Sequence, residues 1–189
     1  MPEENIHIPP QNVEAEVSLL GAILLDKEAI VKVADVVTEG DFYKDSHAEI
    51  YRAMIQLYEK REPIDVITLT TRLEANKKLD LIGGSSYIAT LASSVPTAAH
   101  VVNYGKIVSD KATLRRLIKA SNEISTLAMD EKEEITQILD KAEQKVFKVS
   151  QKHLKEDFIP IKDILTESFD RIDELHKDCL LYTSDAADE

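Results

Sequence analysis

The sequence has one cysteine, Cys179, so no internal disulfide can form and no cysteine-based metal site can be assembled. No apolar run approaches about 18 residues, so no transmembrane helix is expected. The N-terminus, Met-Pro-Glu-Glu-Asn, carries acid where a signal peptide needs base, which points to a cytoplasmic location. Base is scarce overall: the formal net charge is −12, a poor match to a nucleic-acid grip that works by neutralising phosphates. Protein partners fit this balance better. Gly83-Gly84-Ser85-Ser86 is the only glycine-rich spot, and no lysine follows it as a phosphate-binding loop requires. It reads instead as a turn that starts a helix. The five histidines, His7, His47, His100, His153 and His176, form no His-Glu-x-x-His and no His-x3-His pair. No catalytic, cofactor-binding or metal-binding residue is therefore expected in this chain, and no ATP hydrolysis.

What is present is helix pattern. Tyr104, Ile107, Val108, Leu114, Leu117, Ile118, Ile124, Leu127 and Ala128 recur at spacings of about three and four. Met129-Asp130-Glu131-Lys132 interrupts the stripe, and Ile135, Ile138, Leu139, Ala142, Val146 and Val149 resume it. No proline or glycine falls between Lys106 and Gln151, so each arm can run unbroken. A short polar connection favours antiparallel neighbours. The spacing thus predicts a helical hairpin over 98–149. Two helices cannot bury both sides of so broad a stripe. Some of Leu117, Ile118, Ile124 and Leu127 should meet the rest of the chain or another molecule.

The whole chain reads as all-α: a compact helical bundle, then the long antiparallel hairpin, then a separate amphipathic helix. Residues 1–11 are a polar, proline-containing lead. The helical head spans 12–97. Asn12 is a candidate N-cap for a largely apolar helix with Glu14 and Glu16 in its first turn. Gly21 inside that helix suggests a close helix crossing. A second helix is expected from Lys27 to Val37. Ser46 and Glu49 match a capping box, and Asp65 can cap a further helix. Ser85 can start the helix that carries Tyr87, Ile88 and Leu91, and Thr97 can cap the run into the hairpin. Residues 150–160 are a linker by composition. Over 161–178, Ile161, Ile164, Leu165, Phe169, Ile172 and Leu175 stripe a helix that needs a surface to bury against.

Three residue groups invite sharper readings. His47 could act as a base or ligand, but one imidazole without clustered ligands is better read as a satisfied structural histidine. Arg115-Arg116 could bind phosphate or acid, with solvent exposure as the default. Thr68–Leu73 followed by Ser86–Ala89 mimics a helix-turn-helix, yet Ser85–Ala92 holds no Arg, Lys, Asn or Gln to meet base edges.

The order of several weak motifs is more specific. Pro10-x-Asn12-x-Glu14-Ala15-Glu16-x3-Leu20-Gly21-x-Ile23-Leu24 is followed by Asp41-Phe42-Tyr43-x3-His47-x2-Ile50-Tyr51. Then come Ile64-Asp65-x3-Leu69, Gly83-Gly84-x2-Tyr87-Ile88, Pro96-Thr97-Ala98-Ala99, Tyr104-x2-Ile107-Val108 and Arg115-Arg116-Leu117-Ile118. Together, over about Pro9 to Asp178, they resemble the N-terminal region of the bacterial replicative DNA helicase, the DnaB family. His100 and Gly105 stand where that family often carries Asn and Ala.

The resemblance implies a collar on a hexameric ring, with hairpins pairing between subunits and the collar engaging primase. Tyr87, Leu117, Ile118, Ile124 and Leu127 are then the candidate partner-binding residues. A helicase loader is a further possible partner. The helix carrying Ile161, Ile164, Leu165, Phe169, Ile172 and Leu175 would dock on a neighbouring subunit's motor domain. That motor, with ATP, Mg2+ and single-stranded DNA, would lie outside this chain, and no membrane contact is implied. The alternative is a stand-alone helical adaptor of replication or regulation without helicase activity. The last eleven residues, 179–189, resemble a translated sequencing adapter and are set apart from the fold.

Overall fold

The computed structural model describes residues 8–129 and 134–154. Contacts divide the chain into a unit over Met1–Lys152 and a second over His153–Glu189, and the description below concerns the first. Its described residues contain helices and no strand, as the hydrophobic periodicity requires.

Helix α1 (Val13–Leu25) starts where Asn12 Oδ1 accepts the Ala15 amide at 2.9 Å, satisfying one of the free N–H groups of the first turn. It lies centrally, with Leu19, Leu20, Ala22 and Ile23 all 0% exposed. Gly21 permits the crossing with α5 (Gly84–Ser93). A Cβ there would stand 2.5 Å from Leu91 O, 2.6 Å from Ser94 Oγ and 2.8 Å from Val95 Cγ2.

Helix α2 (Ala29–Val33) is shorter than the expected span from Lys27 to Val37. Three of its flanking or terminal residues, Val33, Val36 and Val37, are β-branched, which weakens a helix that tertiary contact does not extend. The chain then makes a 3-10 turn, Glu39–Asp41, in which the Asp41 carboxylate accepts the Thr38 amide at 2.7 Å and the Thr38 hydroxyl at 2.8 Å.

Helix α3 (Asp45–Glu59) begins one residue before Ser46, so Ser46 sits inside the first turn and the expected capping box does not form. Glu49 instead pairs with Arg52 at 2.9 Å and approaches Lys78 at 3.6 Å. Helix α4 (Val66–Ala75) is capped as its sequence indicates: Asp65 Oδ1 accepts the Ile67 and Thr68 amides, both at 2.9 Å. Gly83, with φ +96°, supplies the left-handed residue before α5.

Helices α6 (Val101–Met129) and α7 (Ile135–Leu154) follow. The first half of α6 packs on α1, α2 and the 3-10 turn, burying Val101, Gly105, Val108, Ser109 and Ala112. Helix α7 runs to Leu154, beyond Val149 and into the stretch that composition reads as linker. Its half-buried side chains are Ile138, Ala142, Lys145 and Val149, a 4-3-4 spacing that makes a seam along one side of the helix. From that side Lys145 forms an ion pair with Glu123 of α6.

Candidate partner-binding surface

Two sets of side chains are candidates for the surface: an apolar outer face on the two long helices, and a buried polar network that ties Tyr87 to His47 and Glu16. At 100° per residue, Ile107, Leu114, Leu117 and Ile118 fall on one side of α6. All are exposed, Leu117 by 43% and Ile118 by 48%. Ile124 lies only about 20° from Leu117 around the helix and Leu127 about 60° further round, and both are half-buried. The four hairpin candidates therefore differ in exposure, with Leu117 and Ile118 exposed and Ile124 and Leu127 half-buried. Ile118 also lines an open groove of about 470 Å³ with Pro9, Arg115, Lys119, Asn122, Glu123 and Thr126. On α7, Ile135, Leu139 and Val146 make an exposed apolar strip beside the seam.

The polar network begins at Glu16, which is only 2% exposed although it sits in the first turn of α1. Its Oε1 accepts the Tyr43 amide at 2.6 Å, and its Oε2 stands 2.7 Å from His47 Nδ1. His47 is fully buried, and its Nε2 lies 2.7 Å from the Tyr87 hydroxyl oxygen. The two rings stack nearly parallel, 9° apart. Burial, with the Glu16 charge second, pushes the Tyr87 phenol above its ordinary value. Both His47 ring nitrogens are thus engaged, one by Glu16 and the other by Tyr87.

Arg115 and Arg116 are not the solvated pair that their sequence context suggests. Arg115 donates to Pro10 O at 2.7 Å and to Asp41 O, and its guanidinium lies 5.8 Å from the centre of the Tyr43 ring. Partial burial holds it below its usual value. Arg116 forms an ion pair with Asp41, which is only 1% exposed. A guanidinium at that depth needs carbonyl and carboxylate acceptors, and the 3-10 turn supplies both. The network joins Tyr87 to α6: Tyr87 meets His47, His47 meets Glu16, and Glu16 interacts electrostatically with Arg115 in the groove wall. Glu16, Asp41 and His47 carry this arrangement, and sequence reasoning gave none of them a part in the surface. The sequence offered only a pair of first-turn acids, Glu14 and Glu16, of which the structure exposes the first and buries the second.

Residues 8–110 match the family model described as the DnaB-like helicase N terminal domain. The chain belongs to this DnaB family. It is 42% identical over 169 residues to replicative DNA helicase DnaB of Geobacillus stearothermophilus, covering 89% of this chain and 37% of that protein. It is 40% identical over 172 residues to replicative DNA helicase DnaC of Bacillus subtilis, covering 91% and 38%. This chain thus spans little more than a third of the length of these relatives. The crystal structure of the N-terminal domain of DnaB helicase from Mycobacterium tuberculosis superposes with a TM-score of 0.72 at 38% identity, covering 75% of this chain and 99% of that one. A DnaB-like replicative helicase, described with its interactions with primase, shares the fold with a TM-score of 0.63 at 23% identity, covering 86% and 35%.

The candidate docking residues Ile161, Ile164, Leu165, Phe169, Ile172 and Leu175 lie outside the described residues, as do residues 179–189. No described helix is long and apolar enough to cross a membrane.

Proposed function

We propose that this chain is the N-terminal collar of a replicative DNA helicase, serving in subunit assembly and in capture of primase. The observation that carries the reading is the outward apolar face. Ile107, Leu114, Leu117 and Ile118 on α6, and Ile135, Leu139 and Val146 on α7, are exposed together on the two longest helices. Contiguous exposed apolar surface of this kind marks an interaction site more often than chance solvation. Family membership supports this reading, in which ATP, Mg2+ and single-stranded DNA belong to the remainder of such a helicase, since this chain spans little more than a third of its relatives. Tyr87, Leu117 and Ile118 form the primase side in this reading, and the α7 strip forms the subunit side. Ile124 and Leu127, both half-buried, border it. The stretch 161–178 is proposed to dock on a neighbouring subunit's motor, and a loader is a further partner of the whole ring.

Leu139→Asp and Ile118→Asp separate the two surfaces. Sedimentation of the full chain should show Leu139→Asp shifted to smaller species, while Ile118→Asp loses capture of a purified bacterial primase. Unchanged sedimentation and unchanged capture in both variants, with helicity retained, would place the interfaces elsewhere.

A further inference from the structure

The proton positions in the Glu16–His47–Tyr87 line follow from its two ends. Glu16 accepts the Tyr43 amide at 2.6 Å, the Lys44 amide lies 3.5 Å from Oε2, and Arg115 sits close enough to interact by charge. Both carboxylate oxygens thus face backbone N–H donors and act as acceptors. An ionised carboxylate accepts and cannot donate, so the proton between Glu16 and His47 belongs to Nδ1. A second ring proton would place a cation on a side chain that is fully buried. The ring is then neutral, Nε2 is a lone pair, and the Tyr87 hydroxyl donates into it across 2.7 Å.

We infer that His47 is a positioning residue that draws the Tyr87 hydroxyl proton inward, so that Tyr87 presents only oxygen lone pairs to a docking partner. The inference rests on the reading of Tyr87 as part of the partner surface. Its consequence is a rule of recognition. The group that meets Tyr87 must be a hydrogen-bond donor, such as a backbone N–H, a lysine or an arginine. A carboxylate or carbonyl at that point meets lone pair against lone pair and is rejected. Tyrosine on a free surface makes no such choice, because its hydroxyl rotates to suit either kind of neighbour.

The first test needs no partner. Long-range 15N–1H correlation on the uniformly labelled full chain at neutral pH should show His47 protonated at Nδ1, with Nε2 in the unprotonated range. A ring protonated at Nε2, or at both nitrogens, overturns the inference. The second test titrates a bacterial primase that binds the unmodified chain against three variants. Tyr87→Phe removes the acceptor and should weaken binding by about three- to tenfold, the scale of one hydrogen bond. His47→Leu frees the hydroxyl and should weaken it to a similar degree. His47→Gln can donate through its amide nitrogen to Glu16 and accept from Tyr87 through its oxygen, so it should bind within about twofold of the unmodified chain. Equal loss in the Gln and Leu variants, with both melting like the parent, would show that His47 does not act through proton direction. If the ring carries the expected tautomer but Tyr87→Phe binds normally, the placing of Tyr87 at the interface fails and the recognition rule falls with it. Should His47→Leu not fold, the correlation spectrum still decides the proton position.

Discussion

Leu20 on α1 and Leu139 on α7 are the same side chain on two helices of one chain, yet the first is 0% exposed and the second 63%. The contrast extends to their surroundings. In the head, apolar residues from α1 to α5 close on one another, and the acids left inside, Glu16 and Asp41, are each tied to other elements. On α7 no described side chain is fully buried, and its one half-buried charge, Lys145, is paired with Glu123. The head is finished by its own contacts. The arm is a helix that this chain leaves half-covered, and its remaining face is available to another molecule. Substitution experiments can break this contrast or sharpen it.

The largest effect is expected at Asp41. Asp41→Ala removes the carboxylate from Arg116 and from Thr38, leaving a partly buried guanidinium without its acid. Breaking a buried pair from one side costs about 3–5 kcal/mol, to be read from chemical denaturation. A loss under about 1 kcal/mol would mean that the head does not depend on its polar interior. Leu20→Ala comes next. A cavity in a closed core should cost about 2–5 kcal/mol by the same measurement.

Asp65→Ala tests a surface cap, with an expected loss of about 1 kcal/mol at neutral pH. Amide hydrogen bonds from Thr68, with its hydroxyl and the Ile67 amide adding to them, hold the Asp65 carboxyl below its ordinary value. A depressed acid contributes stability above its unfolded value and loses it as pH falls through the folded one. The gap between parent and variant should therefore be full near neutrality and close on acidification below the ordinary carboxylate range. A gap that widens in acid contradicts this assignment. Leu139→Ala should change the stability of the dilute, unassociated chain by less than about 0.5 kcal/mol, since the side chain is already in water. A loss as large as that of Leu20→Ala would show that the two regions do not differ as described.

Much of this architecture was legible because it is local. Asn12 and Asp65 cap through amides two or three residues away, and the apolar stripes of α3 and α6 follow from spacing alone. Gly21 announced a close crossing, although nothing in the sequence named Leu91 and Ser94 as its neighbours. Helix α2 was overestimated because apolar spacing cannot weigh β-branched ends against tertiary support. The polar network escaped for a different reason. Arg116 meets Asp41 across 75 positions, and Glu16 meets His47 across 31, distances at which one sequence carries no pairing signal. Charged residues are read by default as solvated, so Arg115 and Arg116 were assigned to water and Tyr87 could not be placed. The outward set on α6 was legible as a surplus of apolar residues, but its division into exposed Leu117 and Ile118 and sheltered Ile124 and Leu127 needed the position of α7.

The two arginines have a mechanical consequence. Helix α6 is fastened to the head along Val101–Ala112 and again at Arg115 and Arg116, and beyond them Ala120 is its only buried residue. From Arg116 to Met129 the helix reaches about 20 Å at 1.5 Å per residue, close to the fastened length behind it. It is a cantilever with arms of similar length. A push at the tip arrives at the root with little loss or gain of leverage and is resisted at the 3-10 turn and at the carbonyl of Pro10, where the chain enters α1. Whatever grips the far end of this rod thereby pulls on the first turn of the bundle.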